Sequence, residues 1–121
     1  MTIEECYRAL GGDYDQVQRR LPSVALIKRF VAKFLNDDSY DQLCRAMQEG
    51  RREEAFRAAH TLKGVCANLG FERLYSSASR LTEELRPQDS AISASAAALL
   101  AQVQQDYAET TGAIRVYLGE N

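Results

Sequence analysis

The sequence predicts an all-α protein: an antiparallel up-down-up-down four-helix bundle with short N-terminal helices packed over one end. Three observations point there. Apolar residues recur at three- and four-residue spacing through most of the chain, with capping residues at the heads of these stripes and glycines at their feet. No bounded run rich in β-branched residues alternates with period two, so no strand is expected. The connections between the long stripes are short, which makes neighbouring helices antiparallel. With 121 residues the chain reads as a single domain, 1–121, with short helices at about 2–20 and the bundle at about 22–118.

The elements follow in order. Thr2-Ile3-Glu4-Glu5 fits a capping box that opens a helix to about Leu10, stopped by Gly11-Gly12. A second short helix is expected from Asp13 to Arg20. Pro22 then suits a first helical turn, and Ile27, Phe30, Val31 and Phe34 carry a stripe to about Leu35. Asn36-Asp37-Asp38-Ser39 interrupts it with side chains that compete for backbone hydrogen bonds, and Ser39 with Gln42 forms a second candidate capping box. Tyr40, Leu43 and Met47 continue the stripe to Gly50, as a separate helix or as the far arm of one kinked helix. Ala55, Ala58, Leu62, Val65 and Leu69 mark the helix that carries His60, and Gly70 ends it with Phe71 able to pack back on Cys66. Phe71, Leu74, Ala78, Leu81 and Leu85 make the next stripe, closed by Pro87. Asp89 or Ser90 caps a last long helix running from Ile92 to Tyr117.

Composition narrows the function. Hydrophobic residues make up 45% and charged residues 26%, with seven glycines and two prolines, which excludes disorder and collagen. Fifteen Lys and Arg against seventeen Asp and Glu leave a net charge of −2. That offers no broad positive field, so neither nucleic acid nor a membrane surface is expected as a partner. No basic leader and no apolar run near the ~18 residues of a membrane span is apparent, and a cytoplasmic protein is expected. Cys6, Cys44 and Cys66 lack C-x-x-C spacing and read as reduced thiols filling small apolar spaces. The single histidine excludes metal clusters built on several histidines and catalysis that needs two. No cofactor or metal site is expected.

The position of that histidine is calculable. At about 100° per residue, Ala58, Leu62, Val65 and Leu69 lie on the far side of the helix from His60, while Glu53, Phe56, Gly64 and Ala67 lie within about 40°. Arg57 and Lys63 flank it at about 60° on either side. His60 is therefore the centre of a solvent-facing surface. Gly64, one turn on, costs the helix roughly 1 kcal/mol relative to alanine. Close approach of another macromolecule to the imidazole would account for that cost. An exposed ring nitrogen with a lysine beside it suits nucleophilic transfer of a phosphoryl group. Cys66 is about 120° away toward the core, which argues against a cysteine–histidine pair and against a zinc site. Nothing resembles a phosphate-cradling glycine loop, so phosphate has to come from a donor protein and go to an acceptor protein.

His60-Thr61-Leu62-Lys63-Gly64, followed after five residues by Gly70, resembles the H-x-L-K-G-x5-G signature of histidine phosphotransfer domains of bacterial phosphorelays. The resemblance implies a four-helix bundle that relays a phosphoryl group between a receiver-domain aspartate and a histidine. It implies that His60 accepts the phosphoryl group, that Lys63 supports it electrostatically and that Gly64 admits the partner. Phe56, Arg57 and Ala67 are expected to complete the docking surface. The implied partners are response-regulator receiver domains, which would bring the metal ion for transfer, and a histidine kinase or hybrid kinase. A monomeric phosphocarrier with no kinase, phosphatase or hydrolase activity of its own is expected. The family also often orients the imidazole with a polar side chain from a neighbouring helix, and Ser76, Ser77, Ser79 and Arg80 are the candidates. The rival reading is a non-catalytic helical adaptor that binds a signalling partner through the His60 face.

Overall fold

The computed structural model describes residues 1–86 and 91–119, and the regular structure among them is entirely helical. The helices are α1 (Ile3–Leu10), α2 (Tyr14–Arg20), α3 (Val24–Phe34), α4 (Ser39–Gln48), α5 (Arg52–Leu69), α6 (Glu72–Glu84) and α7 (Ala94–Tyr117). Among the described residues, none of them is long and apolar enough to cross a membrane.

Local chemistry explains most of the boundaries. The Thr2 hydroxyl accepts from the Glu5 amide at 3.1 Å while the Glu5 carboxylate accepts from the Thr2 amide at 2.8 Å, closing the expected capping box of α1. Asp13 caps α2 in the same way, its Oδ1 accepting from the Gln16 amide at 3.1 Å. Pro22 stands before α3 rather than in its first turn, because the Ser23 hydroxyl takes the Leu26 amide and becomes the cap. The break after Phe34 separates two helices, α3 and α4.

The capping box expected at Ser39 and Gln42 does not form. Asp38 occupies the cap position of α4 without a side-chain cap bond, and Asp37 accepts instead from both the amide and the hydroxyl of Ser39. Gln42 Nε2 turns to the Asp38 carboxylate at 2.9 Å. Ser39 is already the first residue of α4, one place past the cap position, and its amide and hydroxyl are turned back to the carboxylate two residues upstream. Pro87, Asp89 and Ser90 lie outside the described residues. The cap of α7 is Ser93, whose hydroxyl accepts from the Ala96 amide at 3.2 Å, so α7 starts later than expected and Ile92 precedes it.

α5 packs against α4 on one side and α6 on the other, α6 against α7, and α1 against α7. The buried set includes Leu43, Ala55, Ala59, Leu62, Cys66, Leu74, Leu81, Val103 and Ile114. The three cysteines are free. Cys6 and Cys66 are buried, as expected of space fillers, and burial pushes the Cys6 thiol up to about 11 and that of Cys66 higher still.

One end of the molecule is tied together by α1 and α2. Tyr7 Oη donates to the Leu69 carbonyl at 2.7 Å, and its ring meets Phe71, which in turn meets Phe34. The turn after α1 and the turn after α5 exchange hydrogen bonds: Asp13 N–H to Gly70 O at 2.8 Å and Arg73 N–H to Gly11 O at 3.1 Å. Gly70 closes α5 at φ +70°, with its amide on Ala67 O and the Phe71 amide on Cys66 O, the paired bonds of a left-handed cap.

Candidate functional site

α5 is an 18-residue helix with two unlike sides. Ala55, Ala58, Ala59, Leu62, Cys66 and Leu69 are buried, whereas Val65, expected in the same stripe, is only half-buried at its edge. His60 is exposed at the centre of the opposite side, where the 100° rotation per residue places it. Among the described residues no side chain hydrogen-bonds the imidazole, so both ring nitrogens are open to an incoming group.

The two flanks of His60 differ. Toward α6 lie Phe56, Lys63 and Ala67, all half-buried; toward α4 lie Arg57, Thr61 and Gly64, all exposed. The Phe56 ring stands 6.1 Å from the imidazole, tilted by 37°. On its α6 side it meets the Arg86 guanidinium, 5.7 Å from the ring centre. Glu83 binds that guanidinium through Nε at 2.9 Å and Nη2 at 3.0 Å. The hydrogen bond from Arg86 holds the Glu83 carboxyl below the usual carboxylate range, helped by the positive charges of Arg86 and Lys63. Lys63 thus shares an electrostatic neighbourhood with α6 as well as with His60.

On the other flank Arg57 reaches Glu53 at 3.7 Å and borders a groove between α4 and α5 shared with Arg45, Arg51 and Thr61. It leans along its own helix rather than over the imidazole. Ala67 lies at the foot of the His60 face, and its carbonyl accepts from Arg20 Nη1 of α2 at 2.8 Å. The expected site residues His60, Lys63, Gly64, Ala67 and Phe56 therefore share one continuous surface, with Arg57 at its margin.

Two glycines inside helices, Gly64 of α5 and Gly112 of α7, have no neighbour that requires them, and of the two Gly64 is the one on the His60 face. A Cβ built on Gly64 meets nothing within 4 Å, so no atom of the described residues requires the side chain to be missing. The helix nonetheless carries the cost of a glycine in its interior, roughly 1 kcal/mol.

Glu83 and Arg86 are the neighbours that sequence reasoning missed. Their spacing of three signals an ion pair at the end of α6, but nothing in the sequence sets that pair beside Phe56, because the contact depends on how α5 and α6 pack. Of the residues considered as orienters of the imidazole, Ser77 is buried and donates its hydroxyl to Leu74 O at 3.3 Å. Ser76 and Arg80 are exposed and Ser79 is half-buried, and none of the four bonds to His60. Cys66 is buried on the far side of the helix, which removes it as a partner for the imidazole.

The family model described as Hpt domain matches residues 31–111. The match takes in the end of α3, all of α4, α5 and α6, and α7 as far as Thr111. α1 and α2 lie before it. Comparison with curated proteins and with solved structures finds no match.

Proposed function

Since the chain belongs to the Hpt domain family, and with it to histidine phosphotransfer in phosphorelay signalling, we propose that His60 is its phosphoryl-carrying residue. The observation that carries this reading is the open space at Gly64, one turn from an exposed imidazole in the middle of a helix. A glycine that no neighbour requires, kept at a cost in helix stability, is accounted for by a partner surface that comes close to the backbone there.

In the proposed reaction the lone pair on the outer ring nitrogen attacks the phosphorus of an aspartyl phosphate on a receiver domain. The phosphorus–oxygen bond to the aspartate breaks in line as the nitrogen–phosphorus bond forms, and the reverse step returns the group to a receiver. Lys63 brings an ammonium to the transferred oxygens, offsetting the charge gathered when two anionic groups meet. Gly64 and Ala67 keep the approach low, and Phe56 and Arg57 border it. The metal ion that assists transfer is assigned to the receiver, and the chain itself uses no cofactor.

The same reading takes residues 1–121 as one unit, with an up-down-up-down bundle capped at one end by the short helices. It takes the protein as a monomeric, cytoplasmic phosphocarrier that works between a histidine kinase or hybrid kinase and a response regulator and has no activity of its own on nucleotides. Incubation with a phosphorylated receiver domain tests it. One acid-labile phosphoryl group per chain, absent from His60→Gln, is the expected result. Label that survives the substitution overturns the assignment; no label on the wild-type chain, with partner binding retained in His60→Ala, favours the adaptor reading.

A further inference from the structure

α2 precedes the residues that the family model matches, yet it reaches the foot of the His60 face. Arg20, its last residue, is exposed, and Nη1 donates to the Ala67 carbonyl at 2.8 Å and to Asn68 Oδ1 at 3.5 Å. The Ala67 carbonyl belongs to the last turn of α5, where helical carbonyls lack a full intrahelical partner. Beside this contact lies a cavity of about 320 Å³, lined by Gln16 and Arg20 from α2, Ala67 from α5, and Glu72 and Tyr75 from α6.

The cavity is continuous with the His60 surface through Ala67, which belongs to both. Seven residues of helix between His60 and Ala67 span about 10 Å. One side of a standard protein interface covers about 800 Å², a patch about 16 Å in radius. A receiver domain centred on the imidazole therefore reaches the Ala67 edge of the cavity as well. Tyr75 is one of the exposed large side chains of the molecule, and tyrosine and arginine are types on which binding energy concentrates. Only Nη1 of Arg20 is engaged, so its Nε and Nη2 donors are open to another acceptor. Among the described residues no carboxylate pairs with it, and Glu72 lines the same cavity without forming an ion pair. Because the Ala67 carbonyl already holds the guanidinium, a partner's acceptor meets it with less side-chain ordering to offset.

We propose that this cavity is a second contact point for the receiver domain, and that Arg20 selects among receivers by the carboxylate one of them presents to it. The proposal rests on the reading of His60 given above. Arg20 stands too far along α5 to touch the transferred group, so it acts on partner choice and affinity and not on the phosphorus–nitrogen bond. Tyr75 supplies the apolar wall against which the partner's side chain packs. The selecting cation is thus supplied by a helix outside the matched region, while the histidine lies within it.

The test is transfer from the loaded chain to a panel of receiver domains. Potassium phosphoramidate loads the histidine without a partner, its phosphorus–nitrogen bond to ammonia breaking as the imidazole–phosphorus bond forms. For the receiver that wild type serves fastest, Arg20→Glu raises KM about tenfold and leaves kcat and the rate of phosphoramidate loading unchanged, since a charge at the rim of an interface acts on association. Should Arg20→Glu fail to fold, Gln16→Glu carries the test, because it sets an anion on the same cavity and is expected to raise KM in the same way. An unchanged KM in the folded variant overturns the role of Arg20. An equal loss of phosphoramidate loading overturns it too, since the small donor needs no docking surface. A loaded wild-type chain that discharges onto no receiver overturns the receiver as occupant of the cavity, and a folded wild-type chain that takes no label overturns the reading of His60 itself.

Discussion

The middle of α5 and its C-terminal end each hold a glycine, and the two are there for opposite reasons. At Gly70 the backbone turns left-handed, and a Cβ would stand 2.8 Å from the carbonyl oxygen of Asp13, where α2 begins. The fold itself demands that glycine. At Gly64 the backbone is ordinary helix and a Cβ would meet open space. The fold gains nothing from that glycine and loses helix stability by it. Within one helix, then, the end is shaped by what the chain packs against itself, and the middle, on the proposed reading, by what lies outside the chain. The residues around the two glycines agree. Gly70 is ringed by Tyr7, Asp13, Val17 and Phe71, whereas Gly64 lies beside an exposed imidazole.

The contrast breaks most visibly at the end. Gly70→Ala forces a left-handed alanine and pushes a methyl into a backbone carbonyl that cannot move without α2. An unfolding free energy lower by about 2–4 kcal/mol is expected in a urea titration. A smaller loss is expected from Tyr7→Phe, which removes the donor to Leu69 O at 2.7 Å and leaves that carbonyl unpaired: about 1–2 kcal/mol by the same measurement. The Tyr7 phenol also adds a pH signature. Burial raises its pKa well above the ordinary tyrosine range, so the folded state favours the protonated form. That contribution is fully present below pH of about 10 and is lost as the pH rises beyond it. Stability measured across the alkaline range should therefore fall less steeply in Tyr7→Phe than in wild type. Smallest is Gly64→Ala, for which unfolding in urea should show a gain of up to about 1 kcal/mol.

Parts of this contrast are legible in the amino-acid sequence. Thr2 with Glu5 and the stop at Gly70 are local patterns, made of residues within a turn of one another, and both form as the spacing suggests. The exposed side of α5 is legible too, because helical rotation alone fixes where His60 faces relative to Leu62 and Leu69. What escapes depends on competition or on distance. Ser39 does not cap because α4 starts one residue earlier, with Asp38 in the cap position and Ser39 turned back to Asp37, a choice of start that spacing rules do not decide. The exchange of hydrogen bonds between the turns at Gly11 and Gly70 joins segments nearly sixty residues apart, and nothing in either turn signals the other. Arg86 and Glu83 belong to the His60 surface only because α6 packs where it does. The anomaly of Gly64 is visible in the sequence, but the empty space around it, which rules out a packing role, is visible only in the structure.

The most direct test of a partner approaching the middle of α5 is one paired measurement on Gly64→Glu: unfolding free energy and phosphoryl transfer from a receiver domain, determined together. A glutamate in open space on a helix leaves the fold at least as stable as wild type, since it is a better helix former than glycine. It also raises a charged side chain where the partner has to approach. Undiminished stability with transfer reduced to a small fraction of the wild-type rate is the predicted result. Wild-type transfer in a stable Gly64→Glu protein would contradict it, and would mean that no partner comes close to the middle of α5.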